Sequence, residues 1–202
     1  MKPVAASILL AFSATTWADR LITVPTGTKV FSGHLKLEGL RWQDDDSERA
    51  WVTYGVNRSV EVGITYFRPS GETGKLSFDA SYNIVSPILD TSPGISVGFL
   101  DGANVTPEGR AFYLATTFRL GNDGEYNQDV PTELHFGFWT RKTGLMFVGA
   151  SLPLSQQVRL VAEHDSKSLT AGVDLRPMKP LSIKLLAREG RPAFGLAWTQ
   201  KF

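Results

Sequence analysis

The sequence predicts an all-β chain, an antiparallel transmembrane β-barrel of about twelve strands. Three observations predict it. Short segments alternate apolar and polar residues with a period of two, the mark of a strand that meets a different solvent on each face. The polar face of those segments carries many ionisable groups. The last stretch, RPAFGLAWTQKF, alternates in the same way and stops on an aromatic residue with no polar tail.

The start of the chain has a separate character. MKPVAASILLAFSATTWADR has Lys2, an apolar run from Val4 to Phe12, and Ala18 ahead of Asp19. That pattern predicts a secretory signal peptide over 1–18. Its apolar run is too short to cross a bilayer as a helix, and no later window approaches the ~20 residues needed. Residues 19–30, with Pro25 and Gly27, read as a periplasmic lead-in, which leaves 31–202 for the barrel. The 202 residues carry 21 Lys+Arg against 20 Asp+Glu, and no cysteine. Such a balance lacks the basic excess of a nucleic-acid-binding protein. An exported chain without cysteine uses no disulfide, and closing a barrel in a membrane is one way to do without.

The clearest strands follow in order. Val60, Val62, Ile64 and Tyr66 alternate with Glu61, Gly63, Thr65 and Phe67. Leu76 to Ile84 alternate with Lys75, Ser77, Asp79, Ser81 and Asn83. Leu134, Phe136 and Phe138 alternate with Glu133, His135, Gly137 and Trp139. Val158, Leu160 and Ala162 alternate with Arg159, Val161 and Glu163. Leu169 to Leu175 alternate with Thr170, Gly172, Asp174 and Arg176. Leu181 to Ala187 alternate with Ser182, Lys184, Leu186 and Arg188. Weaker candidates fill 31–42, 49–57, 94–101, 110–120 and 144–153; the continuous apolar run Leu145 to Val148 has no assignable facing. The spacing suits a ~10-residue membrane strand plus its turn. With the N-terminus in the periplasm, 43–49, 69–74 and 101–110 become outer loops. The long stretch Gly121 to Pro131 then falls on the periplasmic side, where turns are usually short.

The polar face holds Glu61, Lys75, Asp79, Glu133, His135, Arg159, Glu163, Asp174, Arg176, Lys184 and Arg188, with Lys201 at its end. Charges in this number cannot line a dry sheet core, where each unpaired one costs several kcal/mol. They can line a wet or ion-paired lumen whose outer face meets lipid. A soluble barrel turned inside out, with an apolar interior for a lipid, has the same periodicity. Trp42, Tyr66, Tyr82, Trp139 and Trp198 near strand ends suit interfacial girdles and favour the membrane.

Two resemblances add to this reading. The closing strand, with Phe194, Leu196, Trp198 and Phe202 on one face, resembles the aromatic-terminated last strand of bacterial outer-membrane barrels. That implies the barrel-assembly machinery as a partner. Residues 158–202, with Ala162-Glu163-His164-Asp165 before a polar turn, Ala-Gly-Val-Asp-Leu-Arg-Pro at 171–177 and a final Phe-Gly-Leu strand, resemble hairpins of the YjbH family. The lead-in VPTGTKVFSGHLKLE is similar to the openings of such barrels. The resemblance implies an outer-membrane barrel associated with exopolysaccharide export, with polysaccharide-export components as partners and no catalytic residues.

Candidate chemistry is sparse. Of the three histidines His34, His135 and His164, His135 lies two residues from Glu133 on the lumen face, a pair that suits a lumen hydrogen-bond network better than a hydrolase site. Asp123, Glu125, Asn127 and Asp129 space oxygen ligands as a calcium loop does, yet lack its glycine and its closing glutamate. The Asp44-Asp45-Asp46 run reads as a solvated outer loop. The expectation is therefore a non-enzymatic barrel of the cell outer membrane, without cofactor or metal, in contact with lipid and lipopolysaccharide. It serves exopolysaccharide export or acts as a narrow pore. The alternatives are an outer-membrane hydrolase such as a lipid A deacylase, and a soluble periplasmic lipid-binding barrel.

Overall fold

A computed structural model describes residues 20–43, 46–121, 130–142 and 144–202. The expected signal peptide over 1–18, the calcium-like run from Asp123 to Asp129, and Asp44 and Asp45 lie outside the described residues.

Each alternating run becomes a strand. These are β1 (His34–Trp42), β2 (Glu48–Gly55), β3 (Val60–Arg68), β4 (Lys75–Val85), β5 (Gly94–Leu100), β6 (Ala111–Leu120), β7 (Thr132–Trp139), β8 (Met146–Pro153), β9 (Val158–His164), β10 (Leu169–Met178), β11 (Leu181–Arg188) and β12 (Arg191–Lys201). Every strand pairs antiparallel with its chain neighbours, and β12 returns to β1 to close the barrel. The seam runs from His34 opposite Lys201 to Trp42 opposite Ala193. Past it, the Phe202 N–H donates to the Gly33 carbonyl at 2.8 Å. Gly33 turns there at φ +73, a left-handed conformation natural to glycine. Closure pairs the row of backbone groups that an edge would leave open, which lipid cannot hydrate. The register shifts between Leu175 and Met178, where Pro177 has no N–H to give the ladder. The long connection from Gly121 lies between β6 and β7.

The faces sort as the alternation requires. Leu76 is 65% exposed, Phe112 60%, Phe138 54% and Ile64 53%, all pointing outward. Glu61, Asp79, Glu133, Glu163, Asp174 and Lys184 are buried inside. An apolar belt wrapped round a charged interior is the surface of a barrel that stands in lipid, since water does not tolerate so broad a patch. The soluble inside-out barrel would need the opposite facing. In the unassigned apolar run, Met146 and Val148 face out while Phe147 is buried.

Two expectations need correction. Residues 20–30 do not trail in the periplasm; they thread the barrel, and nearly every one is buried. Leu21 N–H donates to the Val24 carbonyl at 3.1 Å, and Arg20 bridges Pro25, so the segment doubles back inside. Its aliphatic residues explain this. Leu21, Ile22 and Val24 join a cluster with Trp51, Tyr113, Trp139 and Phe147, and burying each is worth about 1.5–3 kcal/mol. The girdle is also smaller than expected. Trp42 and Trp139 are inside, 5% and 2% exposed, while Tyr82 and Trp198 face out.

A lysine at Ile64 tests the facing. Ile64→Lys should lower stability by about 2–4 kcal/mol, the cost of a charge near the bilayer midplane. Urea titration of the protein folded into vesicles measures it, and an unchanged midpoint would contradict the outward assignment.

Candidate functional site

The lumen is the site, and its wall comes from the inward parity of all twelve strands. Most wall charges are matched by wall neighbours. On β7 Glu133 accepts from Arg119 Nε of β6 at 3.0 Å. On β10 Asp174 accepts from Arg176 at 2.8 Å and from the Ser182 hydroxyl at 2.5 Å. Lys184 of β11 meets Glu38 of β1 at 2.5 Å, and Lys36 meets the same carboxylate at 2.6 Å. Asp79 accepts from the Thr65 hydroxyl, from the Asp101 N–H at 2.8 Å and from Arg20 at 3.2 Å. Glu61 accepts from the Ser81 hydroxyl at 3.2 Å. Charge-assisted bonds of this kind keep buried ions tolerable.

Of the other expected lumen residues, Lys75 and Arg188 lie at the outer end, while Arg159 and His135 are inside. Lys75 has inward parity but sits on the outer rim, half exposed, beside Glu72 at 3.4 Å. Arg188 lies in the outer mouth, bonded to Asp165 at 2.7 Å. Arg159 points inward with its Nε buried and without a hydrogen-bond partner. His135 is 1% exposed, and its Nδ1 lies 2.8 Å from the Thr117 hydroxyl. Glu133 approaches its other nitrogen at 4.0 Å. Hydroxyl, imidazole and carboxylate stand in the order of a hydrolytic triad. Thr117 is fully buried, however, and its hydroxyl accepts the Gly27 N–H at 2.7 Å. The trio therefore seats the threaded segment. Phe194, Leu196 and Trp198 lie on the lipid face of β12, and Phe202 is 74% exposed past its end.

The threaded segment is held largely through its backbone. Glu163 of β9 accepts from the N–H groups of Ile22, Thr23 and Val24 at 3.0, 3.0 and 3.2 Å, and from the Thr23 hydroxyl at 2.5 Å. Lower down, Ser96 donates to the Thr26 carbonyl, Asn83 to the Gly27 carbonyl, and Val30 N–H to Glu61. Gly27 passes so near β5 that an added Cβ would lie 2.3 Å from the Gly94 carbonyl oxygen. Beside the segment the lumen keeps cavities of ≈ 40 and ≈ 10 Å³, room for a few waters.

A vestibule opens at each end. The outer one, ≈ 500 Å³, lies among Trp42, Arg49, Phe67, Glu108, Asp165 and Arg188. Its cations stack on rings: Arg188 over Trp42 at 5.2 Å and Arg49 over Phe67 at 5.1 Å, with Arg141 over Trp139 at 4.0 Å nearby. The loop 101–110 reaches into this mouth, where Glu108 meets Arg49 at 2.5 Å. The vestibule at the end where β1 starts and β12 finishes, the periplasmic end in the expected topology, is ≈ 850 Å³ and is lined by Lys29, Arg58, Arg119, Lys179 and Lys201, and no carboxylate is among its described lining residues. The sequence reading missed Lys36, Glu38, Thr117 and Arg119, although their parity in 31–42 and 110–120 places them on the wall.

Glu108 gives a pH test. Burial opposes its ionisation, yet the Arg49 and Arg141 charges and the Arg49 hydrogen bond hold its carboxyl down at about 2. Its folded value is depressed, so its contribution is present above the ordinary range near 4.5 and is lost as pH falls toward 2. Amide exchange in the loop 101–110 should stay slow at pH 4 and quicken toward pH 2. Glu108→Gln should quicken it at pH 7. Unchanged exchange in that variant would contradict the anchor.

Comparison with known proteins agrees on the fold. No family model and no curated protein matches the chain. Among solved structures, a KdgM porin is similar at TM-score 0.55 and 12% identity, over 84% of this chain and 99% of that one. A KdgM porin in complex with disordered oligogalacturonate is similar at 0.54 and 11%, over 84% and 99%. The Acinetobacter baumannii outer membrane protein Omp33 is similar at 0.52 and 10%, over 85% and 99%. At these identities the likeness is one of fold, matched over nearly the whole of each counterpart.

Proposed function

We propose that this chain is a narrow, non-enzymatic pore of the bacterial outer membrane that passes small acidic solutes. The observation that carries this reading is the periplasmic vestibule, with five cations around ≈ 850 Å³. Low-dielectric walls focus such a field and concentrate anions at the mouth. The similar barrels support the reading, since one of them, KdgM, is a porin and was also solved in complex with disordered oligogalacturonate. The resemblance of 158–202 to the YjbH family favours an acidic saccharide over an inorganic anion, with exopolysaccharide as its source. Lipid and lipopolysaccharide cover the outer face. The assembly machinery recognises the β12 end, so deleting Phe202 should slow membrane assembly, seen as loss of the heat-dependent gel shift; normal assembly would contradict this role.

Reconstituted liposomes test the pore. Swelling should be faster in a small galacturonate oligomer than in a neutral sugar of equal size. Replacing Lys179 and Lys201 together by glutamate should lower the anion-to-cation permeability ratio roughly threefold or more. No swelling in either solute would contradict the pore, and an unchanged ratio would contradict the solute class. A lipid A profile altered by expression would favour the hydrolase instead.

A further inference from the structure

The wall carboxylates divide unequally. Glu38, Glu133 and Asp174 each have a cation or hydroxyl partner on the wall. Glu163 has none there among the described residues: all its hydrogen bonds go to the Ile22, Thr23 and Val24 amides and the Thr23 hydroxyl. It is a fully buried acid on the lumen face whose partners lie about 140 residues away in the chain. Meanwhile the segment it grips enters from the periplasmic end and joins no barrel strand's ladder. Its one described β-bridge, Arg20 to Pro25, is internal. The barrel is closed without it, strand to strand through all twelve.

We propose that residues 20–30 are a removable stopper and that Glu163 is its latch, so the chain is a gated pore shown here closed. The proposal rests on the pore reading above. Withdrawal toward the periplasm would join the two vestibules and leave the ladder intact. The polar contacts it breaks are hydrogen bonds and the Arg20–Asp79 ion pair at 3.2 Å, whose groups water hydrates in an open lumen. The wall pairs Arg119–Glu133, Arg176–Asp174 and Lys184–Glu38 stay made. Glu163 then faces solvent, where its charge is hydrated.

Single-channel recording in planar bilayers tests this, with the heat-dependent gel shift as the check on folding. The native chain should dwell mostly closed. Glu163→Gln weakens the latch, and Gly27→Val drives a side chain against the Gly94 carbonyl; each should raise the open fraction at least tenfold. A lock tests the reverse. The chain has no cysteine, and a Cβ at Gly149 would lie 2.6 Å from a Leu21 methyl. The pair Leu21→Cys with Gly149→Cys should therefore stay closed when oxidised and regain native openings in reductant. This lock remains informative even if a latch variant fails to fold. Folded latch variants that gate like the native chain, or an oxidised pair that conducts like the reduced one, would overturn the stopper and leave the pore standing. Silence from every folded form, the latch variants included, would overturn both.

Discussion

The β1–β12 seam is the constraint on which the rest depends. In a hydrocarbon layer a backbone N–H without a partner costs several kcal/mol, so a sheet there must close. Nine pairs, from His34–Lys201 to Trp42–Ala193, meet that requirement at the seam. Once the sheet is closed, side-chain parity has two destinations only. Leu76, Phe112 and Phe138 go to lipid because Ser77, Ala111 and Trp139 go inside.

Closure also confines charge. With residues 20–30 in place the lumen has little room for bulk water, so ionisable groups on the wall find partners across neighbouring strands. Most do so locally, as Glu133 does with Arg119. The remaining space is filled by the chain's own residues 20–30, with aliphatic side chains against inward aromatic rings and backbone amides against Glu163. The interior is thus layered: arginines on rings at the outer mouth, the segment through the middle, and a basic chamber at the periplasmic end.

The barrel was legible in the sequence because lipid and lumen imprint a period of two on every strand. That periodicity located Glu61, Asp79, Glu163 and Lys184 on the inner face before any contact was known. Pairing was less legible, because it depends on register between strands. The threading of residues 20–30 is not legible in the sequence, for a physical reason. Pro25 and Gly27 look like linker residues, and the contacts that order LITVPTGTKV lie in β4, β6 and β9, far along the chain. The unusual share of aliphatics in that supposed linker, Leu21, Ile22 and Val24, was the signal available. Trp42 and Trp139 end strands as girdle residues do, yet the alternation of their own strands puts them inside.

The central claim is a closed, lipid-facing barrel whose lumen is occupied by its own N-terminal segment. Residue-resolved hydrogen exchange on the protein in lipid tests it most directly, at the amides of Ile22, Thr23 and Val24 that donate to Glu163. The account predicts exchange at these three amides slowed far below that of a free chain, with the strand amides of β1 and β12 protected as well. Free-chain exchange at the three amides beside protected strands would contradict it.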